Sequence, residues 1–136
     1  MKCELCNATN ESILWHGQHC RVILVSDNDY PGFCRVIWHQ HVKEMTDLSV
    51  AMRGEMMNVV FATEAAVREV MQPEKINLAS LGNMTPHLHW HVIPRFADDK
   101  HFPNPVWGSP LRDTRVSTVK DIRSKLASAL LTRLPG

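Results

Sequence analysis

A chain of 136 residues suits one domain, 1–136, and its formal net charge of +1 carries no polyelectrolyte signature of a general nucleic-acid binder, so no nucleic-acid partner is expected. Hydrophobic content of 44% and charged content of 21% are ordinary for a globular protein, and no apolar run is long enough to span a bilayer, so no membrane partner is expected. Met1-Lys2-Cys3-Glu4-Leu5-Cys6 lacks the apolar core of a secretory leader, which gives a cytoplasmic expectation with reduced cysteines; the compositional anomaly is eight histidines.

Cys3 and Cys6 form a Cys-x-x-Cys pair, a spacing that lets two thiolates reach one metal from a tight turn. A thioredoxin-like redox pair would open a helix after a strand, and only two residues precede Cys3, so zinc is the better reading. Zinc needs two more ligands. No second Cys pair follows, so these would be histidines far along the chain. Segments 12–17 and 21–25 read as short strands joined by Gly17-Gln18-His19, and the turn Asp27-Asn28-Asp29-Tyr30-Pro31-Gly32 leads to a third strand over 33–38, an antiparallel meander. Asp27, at a strand end, either caps the turn or accepts from a ribose hydroxyl. Cys20 and Cys34 are small core fillers. His39 and His41, each taken singly, read as solvated strand-end residues.

Thr46, Asp47 and Ser49 are N-cap candidates for an amphipathic helix over 50–71. Its apolar residues Val50, Met57, Val60, Phe61, Val67, Val70 and Met71 recur at helical spacings, and Gln72-Pro73 closes it. Gly54 is a local weakness or a close-packing point. A strand over 75–81 and a Gly82-Asn83 turn follow.

The next ten residues, His87-Leu88-His89-Trp90-His91-Val92-Ile93-Pro94-Arg95-Phe96, alternate imidazoles with large apolar side chains. Such alternation puts His87, His89 and His91 on one face of a strand and Leu88, Trp90 and Val92 on the other. Three readings compete for that face: a run of partly solvated polar residues, a metal site, or a neutral imidazole that attacks phosphorus. Gly82 permits close approach of backbone to a ligand, and the amides of Asn77 and Asn83 donate to phosphate or ribose oxygens, which suits an anionic substrate. Beyond Arg95, residues 96–111 read as an ordered loop pinned by aromatic anchors, either a wall of the site or a dimer contact. A last helix over about 118–132 carries Val119, Ile122, Leu126 and Leu130 on one face, with Thr118 as N-cap and Asp121 in its first turn.

The stretch Gly82-Asn83-Met84-Thr85-Pro86-His87-Leu88-His89-Trp90-His91-Val92-Ile93-Pro94-Arg95 resembles the signature of the histidine triad superfamily, His-x-His-x-His after a Gly-Asn or Gly-Gln turn. The resemblance runs from residue 3 to about 107, is strongest over 76–96, and is closest to small bacterial Hint-like proteins that hydrolyse or transfer nucleoside monophosphates. It implies an α+β fold: an antiparallel sheet of about five strands, one long helix and a C-terminal helix, with a core over 1–111 and a helical extension over 112–136. It also implies a twofold homodimer whose sheets join, with a purine nucleotide or nucleotide conjugate as partner.

Residue by residue, the resemblance makes His89 the nucleophile on the α-phosphate, His91 the group assisting the phosphate and leaving group, and His87 the third member of the triad. Asn83 and Asn77 would hold phosphate oxygens, Gly82 and Met84 would complete the substrate-facing turn, and Asp27 would contact the ribose. Zinc-binding members imply a structural tetrahedral site from Cys3, Cys6, His41 and His87, with no coordination position left for a reacting water. Where the family usually has Pro-Gly-His this chain has Pro31-Gly32-Phe33, so a fourth histidine behind the triad is missing. Two functions follow. One is an enzyme working through a nucleotidyl-histidine; the other is a nucleotide-binding homodimer with little catalysis.

Overall fold

The computed structural model describes residues 3–135; Met1, Lys2 and Gly136, the ends of the expected domain and part of the stretch read for a leader, lie outside the described residues. Five strands, β1 (Ser12–His16), β2 (Cys20–Leu24), β3 (Cys34–Trp38), β4 (Lys75–Ala79) and β5 (His89–Arg95), and two helices, α1 (Val50–Met71) and α2 (Ile122–Leu131), make the expected α+β fold. The strands form one antiparallel sheet in the order β1-β2-β3-β5-β4, which places the histidine-bearing β5 between two partners.

Period-two alternation gives this sheet two different faces. Cys20 and Val22 of β2, Cys34, Val36 and Trp38 of β3, and Val92 of β5 turn toward the helices, where Met56, Val60 and Val67 of α1 and Leu126 and Leu130 of α2 complete the main core. Burial pushes the Cys20 and Cys34 thiols up to about 12, so both are inert fillers, as expected. The intervening residues Arg21, Ile23, Arg35, Ile37, His89, His91 and Ile93 occupy the open face. There Leu5 of the N-terminal segment packs on Ile23 and Ile37, and Tyr30 and Phe33 pack on Ile93.

Ser49 caps α1 by accepting from the Met52 amide at 3.2 Å, while Asp47 instead caps a short 3-10 turn, Met45–Asp47, by accepting from the Glu44 amide at 2.9 Å. The helix ends at Gln72, in the left-handed region at φ 50°, ahead of Pro73. Its apolar residues divide between two faces. Val60, Val67 and Met71 are buried against the sheet, but Val50 is 77% and Phe61 53% exposed. Among the described residues no helix is long and apolar enough to cross a membrane.

Three boundaries differ from expectation by two residues or more. The last helix begins at Ile122 and not near 118, because Asp121 sits in the left-handed region at φ 55° and the Val119 amide is taken by Ser117 Oγ. β4 stops at Ala79, and β5 starts at His89, since the His87 amide turns back to the Thr85 carbonyl. The 96–111 loop is pinned less by aromatic side chains than by the buried Asp99 carboxylate, which receives Arg95 Nε at 2.8 Å and the amides of Phe96, His101 and Phe102.

Candidate functional site

His87, just before β5, has both ring nitrogens committed. Nε2 lies 2.6 Å from the Trp38 carbonyl oxygen at the end of β3, so Nε2–H donates there and Nδ1 carries the lone pair. That Nδ1 is 3.3 Å from Cys3 Sγ, 3.4 Å from Cys6 Sγ and 3.2 Å from His41 Nδ1, while Cys6 Sγ is 3.4 Å from His41 Nδ1. A tetrahedral zinc with bonds of about 2.0–2.3 Å has ligand–ligand edges of about 3.3–3.8 Å. These separations therefore match such a polyhedron, and all four donor atoms lie within 4.8 Å of one another. Two thiols and two imidazoles are a donor set that suits zinc, and the bond to the Trp38 carbonyl is of the kind that would orient His87 as a ligand. The expected set Cys3, Cys6, His41 and His87 is thus assembled.

His89 opens β5 on the open face of the sheet and is 7% exposed. Its Nδ1 lies 2.6 Å from the His87 carbonyl oxygen, so Nδ1–H donates and Nε2 is left as the lone-pair nitrogen. Burial lowers the His89 pKa; the bond to the carbonyl opposes this, and the Arg35 charge lowers it further. The ring is therefore neutral at neutral pH. Its link to His87 runs through backbone, and the His87 side chain contributes no free nitrogen to the site.

His91 stands T-shaped to His89 with ring centroids 4.9 Å apart. Phe33 presents itself edge-on at 5.7 Å and Trp107 at 5.0 Å, so the loop expected to be a site wall or a dimer contact supplies a wall. Because Phe33 has no polar atom, His91 Nδ1 is buried without a hydrogen-bond partner among the described residues. Burial, then the charges of Arg35 and His89, carry its pKa down to about 3. His91 is a neutral ring with one N–H, and in the free protein it holds no second proton to hand on.

The other expected site residues are less tightly gathered. Arg95 Nη1 donates to Asn77 Oδ1 at 2.7 Å, which fixes the amide's orientation and leaves its NH₂ as the unused donor. Gly82, at φ +73°, makes the turn that L residues rarely adopt, with the Thr85 carbonyl oxygen 3.4 Å from where a Cβ would lie. Asn83 and Met84 follow on the exposed tip, Met84 at 96% exposure. Asp27 Oδ1 accepts from the Asp29 amide at 2.9 Å, the turn-capping alternative, and its second oxygen is free of that bond.

Arg35 was not anticipated. It pairs with His91 in the β3–β5 register, so its side chain leaves the same face beside the triad, and its Nε is buried with no partner among the described residues. Arg35 is also one wall of an open cavity of about 960 Å³, which lies between the N-terminal segment and β2 and is lined by Glu4, Leu5, Asn10, Glu11, Ile23 and Ser26 among others. The triad histidines do not line that cavity; Arg35 is the residue common to both. A charged residue inside the apolar run Cys34-Arg35-Val36-Ile37-Trp38 was the available sequence signal.

The family model of the HIT domain matches residues 7–98. An AP-4-A phosphorylase of Mycobacterium tuberculosis is 30% identical over 96 residues, 62% of this chain and 49% of that protein, so the chain spans about half the length of the curated relatives it matches. Among solved structures, a histidine triad protein from Marinobacter aquaeolei VT8 is 26% identical with a TM-score of 0.77, covering 96% of this chain and 95% of that one. A Zn-bound histidine triad family protein from Mycobacterium smegmatis has the same fold at 21% identity and a TM-score of 0.67, with 94% and 89% covered.

Proposed function

Because this chain belongs to the HIT domain family, we propose that it is a nucleotide hydrolase or transferase that attacks the α-phosphate of a nucleoside monophosphate derivative with His89. The observation that carries the reading is the 2.6 Å bond from His89 Nδ1–H to the His87 carbonyl, which leaves Nε2 as a neutral nucleophile. In the first step the Nε2 lone pair forms an N–P bond, the bond from phosphorus to the leaving group breaks in line, and the leaving group departs with the pair and takes a proton. In the second, water or another acceptor forms a P–O bond, the N–P bond breaks, and the acceptor's proton is released.

The chain's own groups serve those steps in distinct ways. The Asn77 NH₂, held by Arg95, and the Asn83 amide at the turn donate to phosphate oxygens as negative charge builds. His91 donates its single N–H beside the phosphate; protonation of the leaving group then needs a substrate anion close enough to raise the ring's affinity for a second proton. Asp27 offers its second carboxylate oxygen to the ribose. Cys3, Cys6, His41 and His87 would hold a structural zinc that ties the N-terminal segment to the start of the histidine strand. Reduced thiols at that site accord with a cytoplasmic protein, and a homodimer through α1 is part of the reading.

Rapid quenching with adenosine phosphoramidate or a dinucleoside polyphosphate should trap a mass increase of one nucleoside monophosphate on His89. His89→Asn should lose turnover at least about a thousandfold while still binding nucleotide. Undiminished turnover in His89→Asn would remove the mechanism. The orphaned His91 Nδ1 beside Phe33 favours one second reading, a nucleotide binder with slow catalysis, for which nucleotide binds but no adduct accumulates.

A further inference from the structure

We propose that Arg35 is a substrate-binding residue that holds an anionic group beyond the reacting phosphate, so that the site is matched to a nucleotide whose α-phosphate leads on to further phosphates. This rests on the reading of His89 as the group that meets the α-phosphate.

The sheet register sets the geometry. Ile13, Ile23, Arg35, His91 and Ala79 form one cross-strand row on β1, β2, β3, β5 and β4. Side chains opposite one another in such a row have Cβ atoms about 4.5–5.5 Å apart, so the Arg35 stem begins one residue's width from His91. Its lateral neighbour on the other side is Ile23, which carries no charge. Two carboxylates lie near enough to act on Arg35 and also line the cavity: Glu11, which is engaged by Arg21 through bonds of 2.7 and 2.9 Å, and Glu4, which forms no ion pair with Arg35. Among the described residues Arg35 makes no ion pair, and its Nε is buried without a partner.

A guanidinium taken partly out of water without a direct ion pair, its carboxylates acting only from a distance, is left with an unmade contact that an anion supplied by a ligand can fill. The planar fork matches two oxygens of a phosphate in a bidentate bond. The adjoining cavity of about 960 Å³ gives such a ligand room to extend from the histidines past Arg35 toward Ile23 and Ser26. A nucleobase edge would accept hydrogen bonds from the fork but leave its charge uncompensated, and a neutral amine leaving group would offer it nothing. A chain of phosphates answers both needs.

The test compares wild-type protein with R35Q and R35K on two fronts. The ratio of kcat/KM for diadenosine tetraphosphate over adenosine phosphoramidate should fall about tenfold or more in R35Q, the scale of one lost charge-assisted hydrogen bond, with R35K between the two. By calorimetry ATP should bind wild type more tightly than AMP, and R35Q should erase that preference. An unchanged substrate ratio with an unchanged ATP:AMP preference overturns the proposal, as does a preference for adenosine equal to that for ATP, which would make Arg35 a nucleobase contact. The two readings fail separately. Loss of the His89 adduct on both substrates sinks the mechanism, whereas ATP-over-AMP binding that depends on Arg35 is read without turnover.

Discussion

Asp99 and His91 are two buried titratable groups whose consequences have the same sign. Asp99 receives Arg95 and three backbone amides, and Arg95 in turn holds Asn77, so one carboxylate orders both the loop behind Trp107 and an amide of the site. Asp99→Asn would leave the Arg95 guanidinium buried without its counter-charge and should destabilise by roughly 3–5 kcal/mol, read as a shift in urea midpoint. Burial raises the Asp99 pKa, but the bonds from Arg95 and from the Phe96 and Phe102 amides outweigh it and hold the carboxyl at about 2. Its stabilisation is complete above the unfolded value of about 3.9 and is lost as pH falls toward 2. His91, held at about 3 by burial and by Arg35, is neutral in the fold but takes a proton on unfolding below about 6.5. Stability should therefore start to decline below pH 6.5, well before carboxylates titrate, and a urea midpoint that stays flat from pH 7 to 5 would contradict the buried neutral ring. At this scale spacing itself disclosed the triad and the Cys3–Cys6 pair, whereas His41 and His87 as partners of that pair, and the histidine missing at Phe33, were legible only through the family resemblance. The sequence hid Arg35 and Asp99, whose importance depends on which residue the register or a returning loop sets beside them.

Between elements, the four-ligand cluster joins three pieces that the sheet alone leaves separate: the N-terminal turn at Cys3 and Cys6, the segment after β3 at His41, and the entry to β5 at His87. The purified protein should carry about one zinc per chain, and a chelator at neutral pH should lower Tm by more than about 10 °C, since structural zinc contributes its binding energy to folding. Hydrogen exchange should then quicken over 3–12, 39–42 and 87, but not in α1. Cys6→Ser should reproduce both effects; a protein with Tm and exchange indifferent to chelation would not be stapled by metal. Strand positions were legible to within a residue or two because alternation is strict in β2, β3 and β5. Ends were not, since they depend on local hydrogen bonds: the His87 amide turning back to Thr85, and the Ser117 hydroxyl taking the Val119 amide. Residues 112–136 read as an extension, yet Leu126, Ala129 and Leu130 sit in the main core and Trp15 Nε1 donates to the Pro135 carbonyl at 2.8 Å. A helix's partners are a tertiary property that its own pattern leaves open.

At the scale of the whole molecule, the unresolved pattern is the second apolar stripe of α1. Val50, Gly54, Met57 and Phe61, spaced by four, three and four, lie along one side of the helix, turned away from the sheet-facing Val60 and Val67. Val50 and Phe61 are exposed, and nothing lies within 4 Å of a Cβ built on Gly54, so the stripe has a flat centre flanked by large apolar side chains. Sequence periodicity counted Val50, Met57 and Phe61 as one face with the core set; the fold leaves Val50 and Phe61 exposed, with Met57 only partly buried against the core, and solvent is a poor partner for Phe61. A twofold contact would bury the stripe against its own copy, with Gly54 near the axis letting the helices approach. Sedimentation should therefore find twice the 15.5 kDa chain mass for wild type, and Phe61→Glu, which sets like charges across the axis, should return it to 15.5 kDa. The triad opens from the other face of the sheet, so the separated chains should still form the His89 adduct. A wild type that sediments as a monomer at tens of micromolar would leave the stripe without its proposed partner, and a Phe61→Glu protein that stays dimeric would move the interface elsewhere on the molecule.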